Sequence, residues 1–334
     1  MTHLPTRPFG RTDMKITRIG FGAWAVGGGG WAYGWGAQDD AASVAAIRRG
    51  VECGLNWIDT AAVYGLGHSE EVVRKALADI PAGERPYVFT KGGLVWDEMN
   101  HAAPPRALAA PASIRREVEA SLKRLGVERI DLYQLHVPAS DVPLSEYWPT
   151  FLDLKKEGKI RAAGLSNHNV GQLEHAEKIG HVDSLQPPFS AIRRGAGAAE
   201  IPWCAAHGTG VIVYSPMQSG LLTGRFTLAR AAALSPNDWR SRDPEFSGDR
   251  LARNLKLADA LRPIAERHGA SVAAVALAWT LAWPGVTGAI AGARGPEQVD
   301  DFVAAARLEL TADDMAEIAA AIEGLAVGSG PAKP

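Results

Sequence analysis

Gly20-Phe21-Gly22-Ala23-Trp24-Ala25-Val26, running on into Gly27-Gly28-Gly29-Gly30 and then Gly34 and Gly36, is the stretch on which the fold turns. Its first six residues match Gly-x-Gly-x-x-Ala, and Asp39 and Asp40 stand about where the ribose-binding acid of a Rossmann unit would be. That fingerprint needs the glycines to turn directly into a helix whose N-terminus holds a pyrophosphate. Here the motif runs into a glycine cluster instead, and each glycine costs a helix about 1 kcal/mol. The cluster therefore reads as a loop at a strand end, of the kind that lines an active site, and the Rossmann reading is rejected.

Outward from this loop, short β-rich segments alternate with longer helical patterns, which is the signature of βα units on a parallel sheet. Strands are expected at 19–23, 56–59, 87–91, 130–136, 160–166, 184–187, 210–215 and 288–291, the eight that a closed barrel requires. Helices are expected near 39–53, 144–157, 170–179, 200–207, 254–268, 271–281 and 296–305. Ser69 is expected to open 70–77, and Ser113 to open 114–125, closed by Gly126. Segment 9–16 and a helix over 311–322 read as additions that cap or brace the barrel. The fold class is thus α/β, a (β/α)8 TIM barrel with an N-terminal capping segment and extra C-terminal helices. No Ser/Pro/Gly linker divides it, so 1–334 is expected to form one domain with flexible ends at 1–6 and 326–334.

Composition narrows the function. Lys and Arg number 35 against 37 Asp and Glu, a net charge of −2 that disfavours nucleic acid or an anionic membrane as partner. Two cysteines, Cys53 and Cys204, exclude a disulfide scaffold and a thiolate zinc cage and suit a reducing compartment. Residues 1–15 hold no apolar core of a secretory signal. The longest apolar run, 272–283, is interrupted by Thr280 and stopped by Pro284, short of the roughly 20 residues a bilayer span needs. A cytoplasmic location is expected.

Chemistry in such a barrel sits at the C-terminal ends of the strands. The second strand ends Trp57-Ile58-Asp59-Thr60-Ala61 and its loop carries Tyr64; the third ends Phe89-Thr90-Lys91; the fourth ends Leu135-His136. An ammonium beside a phenol stabilises the phenolate and draws its pKa down from about 10, and a carboxylate holds the ammonium in place. Asp59 would orient Lys91, Lys91 would tune Tyr64, and Tyr64 would protonate a carbonyl oxygen as hydride arrives, with His136 hydrogen-bonding the same oxygen. Taken singly, each residue has an ordinary reading: an ion-paired lysine, a loop-capping aspartate, a packed tyrosine, a core histidine. Four on adjacent strand ends are harder to dismiss.

Phosphate sites in this fold favour the loops after strands seven and eight. Tyr214-Ser215-Pro216-Met217-Gln218-Ser219-Gly220-Leu221-Leu222-Thr223-Gly224-Arg225 allows close backbone approach and ends on a cation. Gly292-Ala293-Arg294-Gly295-Pro296-Glu297-Gln298 places Pro296 as a first helical residue with Arg294 beside it. His68, His168, His175 and His181 match no metal-ligand spacing, so no metal is expected and surface or capping roles are assigned to them.

With these residues together, the chain resembles the aldo-keto reductases over roughly residues 8–322. Asp59, Tyr64, Lys91 and His136 are similar to that family's tetrad in order and spacing. Gly164-Leu165-Ser166-Asn167, Gln186 and Tyr214-Ser215-Pro216, followed by Met217 and Ser219, resemble its nicotinamide pocket. The resemblance implies an oxidoreductase that binds NADPH/NADP+ extended on the barrel and reduces aldehydes or ketones to alcohols. By it, Ser166, Asn167 and Gln186 would hold the carboxamide and Tyr214 would stack on the ring. Gly220, Leu222, Gly224 and Arg225 would line the pyrophosphate. Gly292, Arg294 and Gln298, with Asp301 nearby, would take the adenosine phosphate, and Gly22, Ala23 and Trp24 would lie near nicotinamide and substrate. Two departures stand out: Phe302 replaces an Asn that contacts adenine in many members, and Val137 replaces the Trp that often follows the tetrad His.

Trp24, Trp31, Tyr33, Trp35, Trp96 and Trp148 are expected in loops over the rim, with Trp24, Trp31, Trp35 and Trp96 walling a flat apolar pocket for an aromatic or otherwise hydrophobic carbonyl compound. Two further readings stay open: reduction of an imine or a pyridoxal-type substrate on the same site, and a non-catalytic subunit that senses NADPH.

Overall fold

Eight parallel strands close on themselves in chain order: β1 (Ile19–Gly22), β2 (Trp57–Asp59), β3 (Tyr87–Gly92), β4 (Ile130–Leu135), β5 (Ile160–Ser166), β6 (Ser184–Gln186), β7 (Gly210–Val213) and β8 (Gly288–Gly292), which pairs back with β1. The computed structural model describes residues 4–334; the flexibility expected for residues 1–3 lies outside them. The strands follow the sequence because apolar β-branched and aromatic residues alternate there with small ones, and the barrel interior takes the inward half.

That interior explains the opening motif. Phe9, Met14, Ile16, Trp57, Phe89, Leu132, Ala162, Ile212 and Ile290 form one buried cluster inside the barrel. The Trp57 ring fills the space beside Gly20, where a Cβ would come within 2.2 Å of the indole. Gly20 is therefore a packing glycine, and no helix follows it: Ala25–Gly27 is a single 3-10 turn. The segment before β1 is a hairpin, Thr6–Pro8 against Lys15–Thr17, which carries Phe9, Met14 and Ile16 into the barrel end. Thr6 thus belongs to a strand rather than to a loose end.

Around the barrel run α1 (Asp40–Glu52), α2 (His68–Leu77), α3 (Pro111–Leu125), α4 (Leu144–Lys156), α5 (Val170–Ile179), α6 (Glu200–His207), α7 (Leu228–Ala232), α8 (Gly248–Ala260), α9 (Arg262–Arg267), α10 (Val272–Leu281), α11 (Pro296–Val303) and α12 (Ala312–Gly324). Helix starts and breaks are where sequence and structure part. α3 opens at Pro111, whose fixed φ suits a first helical position, and Asp141 accepts the Ala109 and Ala110 amides; Ser113 instead donates to Glu117. α2 opens at His68, and Ser69 does not cap it. The single helix expected over 254–268 is two, broken at Leu261 ahead of Pro263, which has no N–H to continue the ladder. α10 is buried on every side, which accounts for the apolar run 272–283, and no helix among the described residues is long and apolar enough to cross a membrane.

The C-terminal end, for which flexibility was expected, packs on the loop after β6. Val327 is buried, Ser329 pairs with Arg193, and the Arg194 guanidinium donates to the Val327 and Gly330 carbonyls.

Candidate active site

At the C-terminal ends of β2, β3 and β4 the four expected side chains meet. Lys91 Nζ lies 2.7 Å from Asp59 Oδ2, 3.0 Å from the Thr60 carbonyl and 3.4 Å from Tyr64 Oη. The Tyr64 and His136 rings meet edge to face with centroids 5.6 Å apart. Tyr64 reaches inward because its turn folds back through left-handed Gly65, Leu66 and Gly67 before α2 begins.

Lys91 and Asp59 are almost wholly buried. Burial pushes the Asp59 carboxyl up and the Lys91 ammonium down, and each is opposed by the other's charge at 2.7 Å. Burial, followed by the Asp59 charge, raises Tyr64 well above its usual value. Among the protein's own groups the direction is opposite to the lowering expected from the ammonium, because burial and the Asp59 charge outweigh Lys91. His136 is held well below its usual pKa by burial and by the Lys91 charge, so its imidazole is neutral.

A second layer joins the carboxamide candidates to the tetrad. Gln186 Nε2 donates to Asp59 Oδ1 at 2.8 Å. Ser166 Oγ donates to the Gln186 carbonyl. Asn167 Nδ2 donates to the His136 carbonyl and to Ser166 Oγ, while its Oδ1 accepts from Tyr214 Oη at 2.8 Å. Asn167 sits at φ +63°, a strained backbone that places its amide between strands.

From Asp59 and Tyr64 an open groove runs past Gly22, Ala23, Trp24 and Tyr214, along Ser215, Pro216, Met217, Ser219 and Gly220 to Arg225, Gly292, Arg294, Gln298 and Asp301. Ser215, Gln218, Ser219 and Gly220 all have positive φ, which turns the chain tightly along one wall. At the far end Arg225 forms a two-pronged ion pair with Asp301, both contacts 2.7 Å. Arg294 Nε donates to Gln38 Oε1, its Nη2 to the Ala37 carbonyl, and its backbone N–H to Gln298 Oε1. Phe302 lines this end.

Several expected residues lie elsewhere. The Leu222 side chain is fully buried in the core, and Gly224 packs closely against Val272 at φ +70°. Ser166, Asn167 and Gln186 adjoin the groove-lining Asp59 and Tyr214, Gln186 bonding to Asp59 and Asn167 to Tyr214. Trp24 and Trp35 line the groove; Trp31 and Trp96 pack with Tyr64 around Ala61 and Val63. Trp148 is not at the rim: it is buried on α4, stacked on Phe151 and bonded to the Gly180 carbonyl. His168 is buried as well, between Tyr147 and the Ser166 carbonyl.

Sequence reasoning missed a cover. Trp239 stacks on Trp24 with centroids 5.1 Å apart, Arg240 lies 4.7 Å over the Trp35 ring, and Asp238 holds Arg240 at 2.6 Å. Backbone contacts Trp239 to Gly34 and Trp35 with Asp238 dock this segment on the glycine-rich loop. Phe226, Arg230, Arg240, Ser271 and Ile290 also line the groove. Ile290 comes with β8, whereas long-range docking brings Arg240 there and no local motif marks it.

Comparison with known proteins agrees with this architecture. The model of the family described as "Aldo/keto reductase family" matches residues 18–323. The NADH-specific methylglyoxal reductase of Escherichia coli (strain K12) is 35% identical over 328 residues, covering 95% of this chain and 98% of that protein. Aldo-keto reductase YhdN of Bacillus subtilis (strain 168) is 33% identical, covering 93% and 92%. The solved structure of glycerol dehydrogenase AKR11B4 from Gluconobacter oxydans superposes with a TM-score of 0.87 at 34% identity, covering 97% of both chains.

Proposed function

The chain belongs to the aldo/keto reductase family, and from that premise we propose that it reduces the C=O bond of an aldehyde or ketone with NADPH, Tyr64 giving the proton. It is an oxidoreductase of a family that works with a nicotinamide cofactor, which supplies a hydride when bound. The observation that carries the finer reading is Lys91 Nζ, buried 2.7 Å from Asp59 and 3.4 Å from Tyr64 Oη, at the head of a groove that ends among arginines.

The residues present fit a dinucleotide. Gly22, Gly220 and Gly292 leave the groove wall bare of side chains, and of the four arginines that line it Arg225 is paired with Asp301 and Arg240 with Asp238. Tyr64 holds its proton at neutral pH and gives it up when negative charge develops on a substrate oxygen. Lys91 stabilises the phenolate left behind, and Asp59 keeps the ammonium aimed at it. Neutral His136 donates or accepts a hydrogen bond beside the phenol and orients the substrate oxygen. Trp24 and its aromatic neighbours exclude water and favour an apolar carbonyl compound.

NADPH is favoured by Arg294 and Arg230. Burial, then the Arg240 charge, weighs against the Arg294 charge, with Asp238 opposing this and Arg230 adding to it, and among the described residues Arg230 pairs with no carboxylate, so the far end of the groove carries positive charge at Arg230 and Arg294. An NADH-linked reading rests on the relative named for NADH.

Replacing Tyr64→Phe tests the acid. Aldehyde reduction is expected to fall by about 10² to 10⁴ while dinucleotide binding is kept. A variant that keeps full kcat sinks the assignment. Turnover of a cyclic imine, a more basic substrate, is expected to suffer less from the same change.

A further inference from the structure

Ser69 and Glu70 have no part in capping α2, yet both side chains are completely buried and hydrogen-bonded. Ser69 Oγ donates to the Ala23 carbonyl at the end of β1 and shares a 2.8 Å hydrogen bond with Thr60, the residue after Asp59. Glu70 Oε1 accepts from Thr90 Oγ1 at 2.7 Å, the residue before Lys91, and Glu70 Oε2 accepts from Arg124 Nε of α3 at 2.6 Å. One dipeptide at the start of α2 is thus bolted to three successive strand ends. Tyr64 hangs from the same helix start through three left-handed residues, with Leu66 strained at φ +56°. A strained turn keeps one geometry only when its surroundings over-determine it, and Ser69 and Glu70 supply that determination.

We propose that Ser69-Glu70 is a positioning bracket that fixes the distance between Tyr64 and the Lys91–Asp59 pair. The proposal rests on Tyr64 acting as the acid. Neither residue touches substrate or cofactor; both act through Thr60, Thr90 and the turn that carries the phenol. Glu70 adds an electrostatic contribution. The groups that face Lys91 are Asp59, Tyr64, Tyr214 and His136, and behind the strand Glu70, whose carboxylate favours the ammonium. Burying a carboxylate there is tolerated because Thr90 and Arg124 satisfy both of its oxygens.

The test compares Glu70→Gln, Thr90→Val and Tyr64→Phe by kcat for aldehyde reduction, by the Kd for NADPH from nucleotide fluorescence, and by the pH profile of kcat. Glu70→Gln and Thr90→Val are each expected to lower kcat about tenfold with Kd changed less than about twofold, since the groove is untouched and only the reacting geometry loosens. In Glu70→Gln the basic limb of the profile should also move to lower pH, because removing a negative charge eases proton loss from Lys91 and from Tyr64 alike. A general structural role would instead weaken NADPH binding along with kcat and leave the limb in place. Wild-type kcat with an unmoved limb in folded Glu70→Gln overturns the bracket, and should that variant not fold, wild-type kcat in Thr90→Val overturns it equally. If Tyr64→Phe stays active, the acid assignment fails and the bracket's purpose with it. If Tyr64→Phe is inactive while Glu70→Gln and Thr90→Val are unaltered, the bracket alone is wrong.

Discussion

Arg294 presents a single side chain to two claims, one from the protein and one from a ligand. Its Nε and one terminal nitrogen are spent on Gln38 and Ala37, which ties the loop before α1 to the loop after β8. The remaining edge of the guanidinium faces the groove end with Arg230 nearby. A phosphate on the adenosine ribose would be held by charge-assisted hydrogen bonds there, and the uncharged ribose of NADH would gain little from them. Arg294→Ala should therefore weaken NADPH binding by about 10- to 100-fold and leave NADH binding nearly unchanged. Equal losses for the two cofactors, measured by fluorescence titration, would assign Arg294 to loop bracing alone. At this scale the sequence was legible where chemistry follows strand order: Asp59, Lys91 and His136 sit at consecutive strand ends, and Tyr64 hangs on the loop after the first of them. It was illegible for Ser69, whose hydroxyl looked like a helix cap until the packing of α2 against β1 and β2 gave it better partners. Trp148 and Leu222 misled for a related reason, since periodicity does not say which side of a helix or loop faces the core.

At the scale of elements, α4 and the loop after β5 are joined through a histidine that should govern acid stability. His168 Nδ1 lies 2.8 Å from the Ser166 carbonyl, which can only accept, so Nδ1 carries the hydrogen and Nε2 accepts from Tyr147 Oη at 3.1 Å. Burial lowers its pKa from 6.5 to about 4. Below pH 6.5 the unfolded chain takes up a proton that the folded one refuses, so the stabilising effect is present above that pH and is lost as pH falls toward 4. Each unit costs about 1.4 kcal/mol. Between pH 7 and pH 4.5, His168→Asn should lose less stability than the parent protein by about 2 to 3 kcal/mol in urea unfolding, even though it starts lower. Parallel losses would show that this histidine does not set the acid limit. Element boundaries were legible where apolar periodicity and caps agreed, as for α5 with its Asn169–Gln172 capping box. They slipped where proline decided, at Pro111 and Pro263, because a ring that fixes φ overrides a nearby serine or an unbroken apolar stripe.

Over the whole molecule, the hairpin at 6–17 fills one end of the barrel interior, and the C-terminal tail docks beside the loop after β6. The tail's low-complexity composition of Gly, Ser and Pro suggested disorder, but composition carries no information about a receptor elsewhere in the chain. Here the receptor is Arg194, nearly buried, whose guanidinium donates to the carbonyls of Ala191, Val327 and Gly330. Gly328, at φ +59°, passes so close to the Ile192 carbonyl that a Cβ would lie 1.7 Å from its oxygen, which makes that glycine necessary to the docking. The same loop reaches the groove, since Ser190 Oγ donates to Gln218 Oε1 in the strained segment after β7. Arg194→Ala would strand three carbonyls at a cost on the order of 2 to 4 kcal/mol. Ending the chain at Ala326 removes two of those acceptors together with the Val327 side chain, so it should cost a comparable amount and also raise KM for the dinucleotide by loosening Gln218. Because both changes break one set of contacts, the double variant should lose clearly less stability than the sum of the two single losses. Strict additivity in urea unfolding, or a truncated protein with unaltered stability and KM, would mean that the tail rests on the barrel without holding it.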